Sequence, residues 1–144
     1  VVVSGTRAAV ERAVEIAKAK GGKRAIMLPV SAPFHCALMK PAADVMAEAL
    51  AGITIAPPRV PLVANVTASA VSDPETIRKL LVQQVTGLVR WRESVIYMKG
   101  QGVSTLVEIG AGKVLTGLVR RIDPELTGIS VQGPTDIEAF LKTI

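Results

Sequence analysis

The chain has 144 residues, 49% of them hydrophobic, which is enough apolar material for one packed core. Its single cysteine excludes an internal disulfide, and no apolar run approaches the length of a membrane span. A formal net charge of +5 favours an acidic partner, while aromatic residues at only 3% argue against a base-stacking nucleic-acid module.

The chain opens VVVSG inside what reads as a buried strand, with no initiator methionine, and this predicts a chain cut from a longer one. No charged-then-apolar leader precedes a small-residue cleavage site, so a cytoplasmic, reducing location is expected. After a strand at 1–3, Ser4 and Gly5 turn into a helix whose apolar positions Val10, Ala13, Val14 and Ala17 follow helical spacing; Gly21 and Gly22 end it. A strand is predicted at 24–30. Pro33 then breaks the backbone, and a helix beginning at about His35 runs through Leu38, Ala42, Val45, Met46 and Ala49 to Gly52. Residues 60–66 have the unbroken apolar character of a strand covered on both faces.

The second half continues the alternation. Asp73 and Pro74 make an N-cap and first-turn pair, with Ser72 and Glu75 as an alternative capping box, for a helix through Ile77, Leu80, Leu81 and Gln84. A helix at 91–99, a strand at 105–109, a Gly110-Ala111-Gly112 turn, a helix at 113–121 and a strand at 128–131 follow. Thr135 and Glu138 read as the capping box of a last helix that buries Ile137, Phe140 and Leu141. Strands alternating with helices predict an α/β layer architecture with mostly parallel strands.

The chemistry concentrates in PVSAPFHCALMKPAADVM, residues 29–46, which holds the only histidine beside the only cysteine. A strand-end loop of an α/β fold is where a catalytic group is presented, so His35 is a candidate base. Cys36 is a poor nucleophile for it, because adjacent residues diverge on either a helix or a strand; it reads as a small packing residue. The run GVSTL at 102–106 lacks the last glycine of a nucleophile elbow and precedes a strand instead of following one. Nor is GAGK at 110–113 a phosphate loop: the glycine five residues before Gly112 is Val107, and no Ser or Thr follows Lys113. The residues thus offer a base without a nucleophile.

Taken in order, PVSAPFHCALMKPAADVMAEAL, VPLVANVTA, IRKLLVQQVTGLVRWRESVIYMKGQGV and EIGAGKVLTGLVRRI resemble the C-terminal half of the bacterial malonyl-CoA:acyl carrier protein transacylases. The resemblance implies a partial three-layer α/β-hydrolase-like parallel sheet at 31–144. Residues 1–30 would be the second half of a ferredoxin-like small subdomain. It implies that His35 is the catalytic base and that Gln84 supplies the carbonyl holding the other imidazole nitrogen. Phe34 would restrict the acyl pocket to unbranched malonyl groups.

Asn65, at a strand end, is a candidate for lining the pocket, and Trp91 for the core. Lys113, Arg120 and Arg121, with Arg90 and Arg92 around Trp91, are either a solvated face or a docking surface for an acidic carrier protein. The implied reaction moves malonyl from coenzyme A through a seryl ester to the phosphopantetheine thiol of acyl carrier protein, with no metal or other cofactor. The serine, the carboxylate-binding arginine and the oxyanion donors would lie in a missing N-terminal half, leaving this fragment alone inactive. A non-catalytic α/β binding module with an acidic protein partner is the competing expectation.

Overall fold

The computed structural model describes residues 1–143, which divide into two compact units, Val1–Val89 and Arg90–Ile144. In the first, α1 (Arg7–Ala19) is opened by Thr6, whose hydroxyl accepts from the Ala9 N–H. The strands expected at 1–3 and 24–30 do not form. Ile26, Met27, Leu28 and Val30 are exposed, and neither segment enters a sheet. An apolar run becomes a strand only when a neighbour satisfies its backbone groups, and no described residue pairs with either segment.

The helix expected from His35 begins later, at α2 (Lys40–Ala51), after a 3-10 turn at Ala37–Met39. Pro41 supplies the reason. It has no N–H to bond the Ala37 carbonyl, so an α-turn cannot extend backward past it, and the chain tightens instead. Residues 60–66 yield only a three-residue strand, β1 (Leu62–Ala64), which pairs antiparallel with β2 (Ser69–Val71) in the register Leu62↔Val71 and Ala64↔Ser69. The expected two-sided burial fails: Leu62 is exposed and only Ala64 is buried. Ala68, in the left-handed region at φ 53, makes the hairpin turn and donates its N–H to the Ala64 carbonyl at 2.7 Å.

α3 (Pro74–Thr86) starts as the Asp73-Pro74 pair predicts. Asp73 Oδ2 accepts from the Thr76 N–H at 2.7 Å and hydroxyl at 2.6 Å, and these two bonds hold its carboxyl below the usual aspartate range. α3 packs on α2 and buries Ile77; Arg78 reaches back from it to donate to the Ile53 carbonyl at 2.9 Å. The unit's buried apolar residues are small, with Ala43, Ala64 and Ala68 beside Ile77.

The second unit is a βαβ arrangement. β3 (Thr105–Ile109) and β4 (Thr127–Val131) pair in parallel, in the register Thr105↔Thr127 to Ile109↔Val131, and α5 (Val114–Ile122) connects them. α4 (Trp91–Gly100) adds Val95 to Val119 and Leu126, the core against which Trp91, Met98, Leu106 and Ile122 pack. Lys99 of α4 holds Asp123 and Glu125, each at 2.5 Å. α6 (Pro134–Leu141) corrects two expectations. Pro134 at its start moves the cap to Gly133, so Asp136, not Glu138, accepts from the Gln132 and Gly133 N–H groups, at 2.9 and 3.2 Å. It packs on β4, and Ile137 and Leu141 stay exposed with Phe140 half-buried. Among the described residues no helix is long and apolar enough to cross a membrane.

Candidate active site

His35 sits between Pro33 and the Ala37–Met39 turn with φ 60, a left-handed conformation that an L-residue adopts at a cost. Pro33 fixes the entering backbone, and its carbonyl accepts the Cys36 thiol at 3.1 Å, a bond that spans the histidine. The thiol is therefore engaged as a local latch.

The exposed imidazole reaches α3. Its Nδ1 is 3.1 Å from the main-chain carbonyl of Gln84, 49 residues away in sequence. A carbonyl can only accept, so Nδ1 carries a hydrogen, and in the neutral ring Nε2 is the nitrogen with the lone pair. That carbonyl is one of the last four of α3, which have no partner within their own helix.

The orienting role expected of Gln84 thus falls to its main chain, while its carboxamide has another task. Nε2 of Gln84 donates to the Gly87 carbonyl at 3.1 Å and to that of Leu88 at 3.4 Å, tying down the chain that leaves the helix. Gly87 allows the close approach: a Cβ there would stand 2.9 Å from the Gln83 oxygen and 2.9 Å from Val66 Cγ2. Sequence reasoning missed this cap, although a glutamine three residues before a glycine at a helix end carries its spacing.

The other candidates are placed as follows. Phe34 is exposed beside His35, and its N–H bonds the Ala32 carbonyl at 2.9 Å. Asn65 directly follows β1, as expected, half-buried and with Oδ1 buried and unbonded. Burying a bare acceptor costs free energy unless a ligand or further chain supplies a donor. Trp91 packs against the second unit's core, as expected.

At α5, Lys113 stands at the N-terminal end and Arg120 and Arg121 in the last turn, so the three do not form one cluster. All are exposed, and none makes an ion pair among the described residues. The N-terminus of α5 is already filled by Glu108, whose carboxylate accepts from the Leu115 N–H at 3.1 Å and from the Thr116 N–H and hydroxyl at 2.7 Å each. Those bonds, led by the Thr116 N–H, hold its carboxyl below the ordinary glutamate range. The Gly110–Gly112 turn is tied to β4 as well, through the Gly112 N–H to Gln132 and the Ser130 hydroxyl to the Gly112 carbonyl, each at 3.1 Å. An anion has no vacant cradle there.

Fold and site together define an α/β protein whose single histidine is held on a helix-end carbonyl. No family model matches the chain. It is, however, 50% identical over 142 residues to the malonyl CoA-acyl carrier protein transacylase of Escherichia coli K12, which covers 99% of this chain and 46% of that protein. The Bacillus subtilis enzyme of the same name is 43% identical over all 144 residues, 45% of its own length. Among solved structures, an acyl-carrier-protein-S-malonyltransferase from Bartonella henselae superimposes with a TM-score of 0.91 at 55% identity, over 96% of this chain and 44% of that one. A malonyl-transacylase in complex with a type II polyketide acyl-carrier protein gives 0.91 at 46% identity, over 97% and 45%. The chain is a homologue of the malonyl CoA-acyl carrier protein transacylases along almost its whole length, and it spans about half the length of the curated relatives it matches.

Proposed function

We propose that this chain is the base-bearing part of a cytoplasmic malonyl-CoA:acyl carrier protein S-malonyltransferase. The observation that carries the reading is the Nδ1–H of His35 held on the Gln84 carbonyl, which leaves Nε2 free to take a proton. In the first half-reaction Nε2 accepts the proton of a serine hydroxyl as its oxygen attacks the malonyl thioester carbon. The carbon–sulfur bond breaks, and the imidazolium protonates the departing coenzyme A thiolate. In the second, Nε2 deprotonates the phosphopantetheine thiol of acyl carrier protein. That sulfur attacks the seryl ester, and the proton returns to the serine oxygen.

No segment of these residues reads as a nucleophile elbow, and on this reading the serine, the carboxylate-binding arginine and the oxyanion donors lie in the N-terminal part of the complete enzyme. Phe34 and Asn65 line the acyl pocket on this reading. The exposed cations Lys113, Arg120 and Arg121 contact the acidic carrier protein. On this reading residues 1–30, where α1 is the one regular element, belong to a ferredoxin-like subdomain whose strands form only against the rest of the enzyme, and 31–144 belong to the larger α/β core.

The test is His35→Ala in the complete enzyme. Malonyl transfer falls by on the order of 10²–10⁴-fold if His35 is the base, and near-wild-type transfer removes the assignment.

A further inference from the structure

We propose that the Gln84 carboxamide is a positioning group, which fixes the tautomer of His35 by holding the end of α3 in place. The inference rests on the reading of His35 as the base and extends it to a side chain that touches neither substrate nor imidazole.

α3 ends without the usual closure. Gly87 is extended, at φ −88 and ψ 152, and is not the left-handed residue that commonly folds main-chain N–H groups back onto the last carbonyls. The Gln84 carbonyl is thereby left free to take the imidazole N–H. An open helix end frays unless something else holds it. Here the Gln84 carboxamide reaches forward to the Gly87 and Leu88 carbonyls and fastens the exit of the chain. One residue therefore supplies the acceptor for His35 through its main chain and the brace for that acceptor through its side chain.

Length and donor character are both required. An asparagine is one methylene shorter, and a glutamate turns acceptor oxygens toward two carbonyls. Methionine keeps the length without the donor.

Because His35 is the only histidine, its ring gives the only imidazole signals in a nitrogen–proton correlation spectrum of the 144-residue chain. The wild-type spectrum should show Nδ1 protonated. Gln84→Met and Gln84→Glu should both shift the ring toward the Nε2–H form that an unrestrained imidazole prefers, with helix content by circular dichroism unchanged. A wild-type imidazole pattern in folded Gln84→Met overturns the proposal. If Gln84→Glu fails to fold, the isosteric Gln84→Met decides alone. If Gln84→Met also unfolds, the carboxamide is a fold determinant and the positioning role is rejected.

In the complete enzyme, Gln84→Met should lower kcat about tenfold at nearly constant KM, the pattern of an interaction that matters only in the transition state. The spectrum needs no acyl transfer, so a failed brace and a failed base assignment are separately visible.

Discussion

His35 Nδ1 meets the Gln84 carbonyl at 3.1 Å from a left-handed backbone at φ 60. An L-residue there gives up roughly 1–2 kcal/mol, so the conformation is retained against local preference. The His35→Gly variant should therefore be more stable than His35→Ala by about 0.5–1 kcal/mol in urea denaturation, although both lose the imidazole. Equal stability of the two would show that the φ value carries no strain.

Gly87 is constrained by space and not by dihedral angle. Its φ of −88 suits any residue, but an added Cβ falls 2.9 Å from the Gln83 carbonyl oxygen, a backbone atom that cannot swing aside, and 2.9 Å from Val66 Cγ2. Gly87→Ala should cost about 1–3 kcal/mol, the range for overpacking, and should move the imidazole resonances of His35 through the displaced end of α3. A variant with wild-type stability and an unmoved imidazole spectrum would mean that this turn relaxes freely.

Much of this arrangement was legible in the residues, and the illegible parts share a cause. The caps and periods that read correctly are local: Asp73-Pro74 opens α3, and the 105–109 and 128–131 strands pair as expected around α5. The misread segments depend on neighbours that sequence spacing does not contain. Residues 24–30 are as apolar as a strand, yet they meet no partner among the described residues. The pairing of His35 with Gln84 was implied by family resemblance alone, because a separation of 49 positions carries no periodic signal. That the acceptor is the main chain could not be read from a glutamine side chain.

Glu108 sets how the second unit responds to acid. Its carboxylate accepts from Thr116 and Leu115 at the N-terminus of α5, which lowers its native pKa relative to the unfolded chain. A depressed native value contributes stability that is fully present above the unfolded glutamate pKa and is lost as pH falls through the native one. Unfolding midpoints measured from pH 7 downward should drop across that window, and Glu108→Gln should flatten the drop while lowering the midpoint at neutral pH. Asp123, held low chiefly by its hydrogen bond to Lys99, keeps a share of the acid response in the variant. An unchanged acid limb in Glu108→Gln would assign the whole response to Asp123 and other carboxylates.

Phe34 carries the specificity question on the proposed function, since it directly precedes His35 and its side chain is exposed in this chain. On the proposed function, the ring occupies the space that the α-methyl of a methylmalonyl thioester would need. A single methyl group is discriminated by about 1–3 kcal/mol, or 10–200-fold, when a pocket wall excludes it. Phe34→Ala in the complete enzyme should therefore raise kcat/KM for methylmalonyl-CoA relative to malonyl-CoA by at least about tenfold. Competition between the two thioesters in one reaction gives that ratio directly. Because His35 and its carbonyl acceptor are untouched by the substitution, malonyl transfer itself should survive, and a large fall in both rates together would mean that Phe34 supports the His35 loop instead of shaping the pocket.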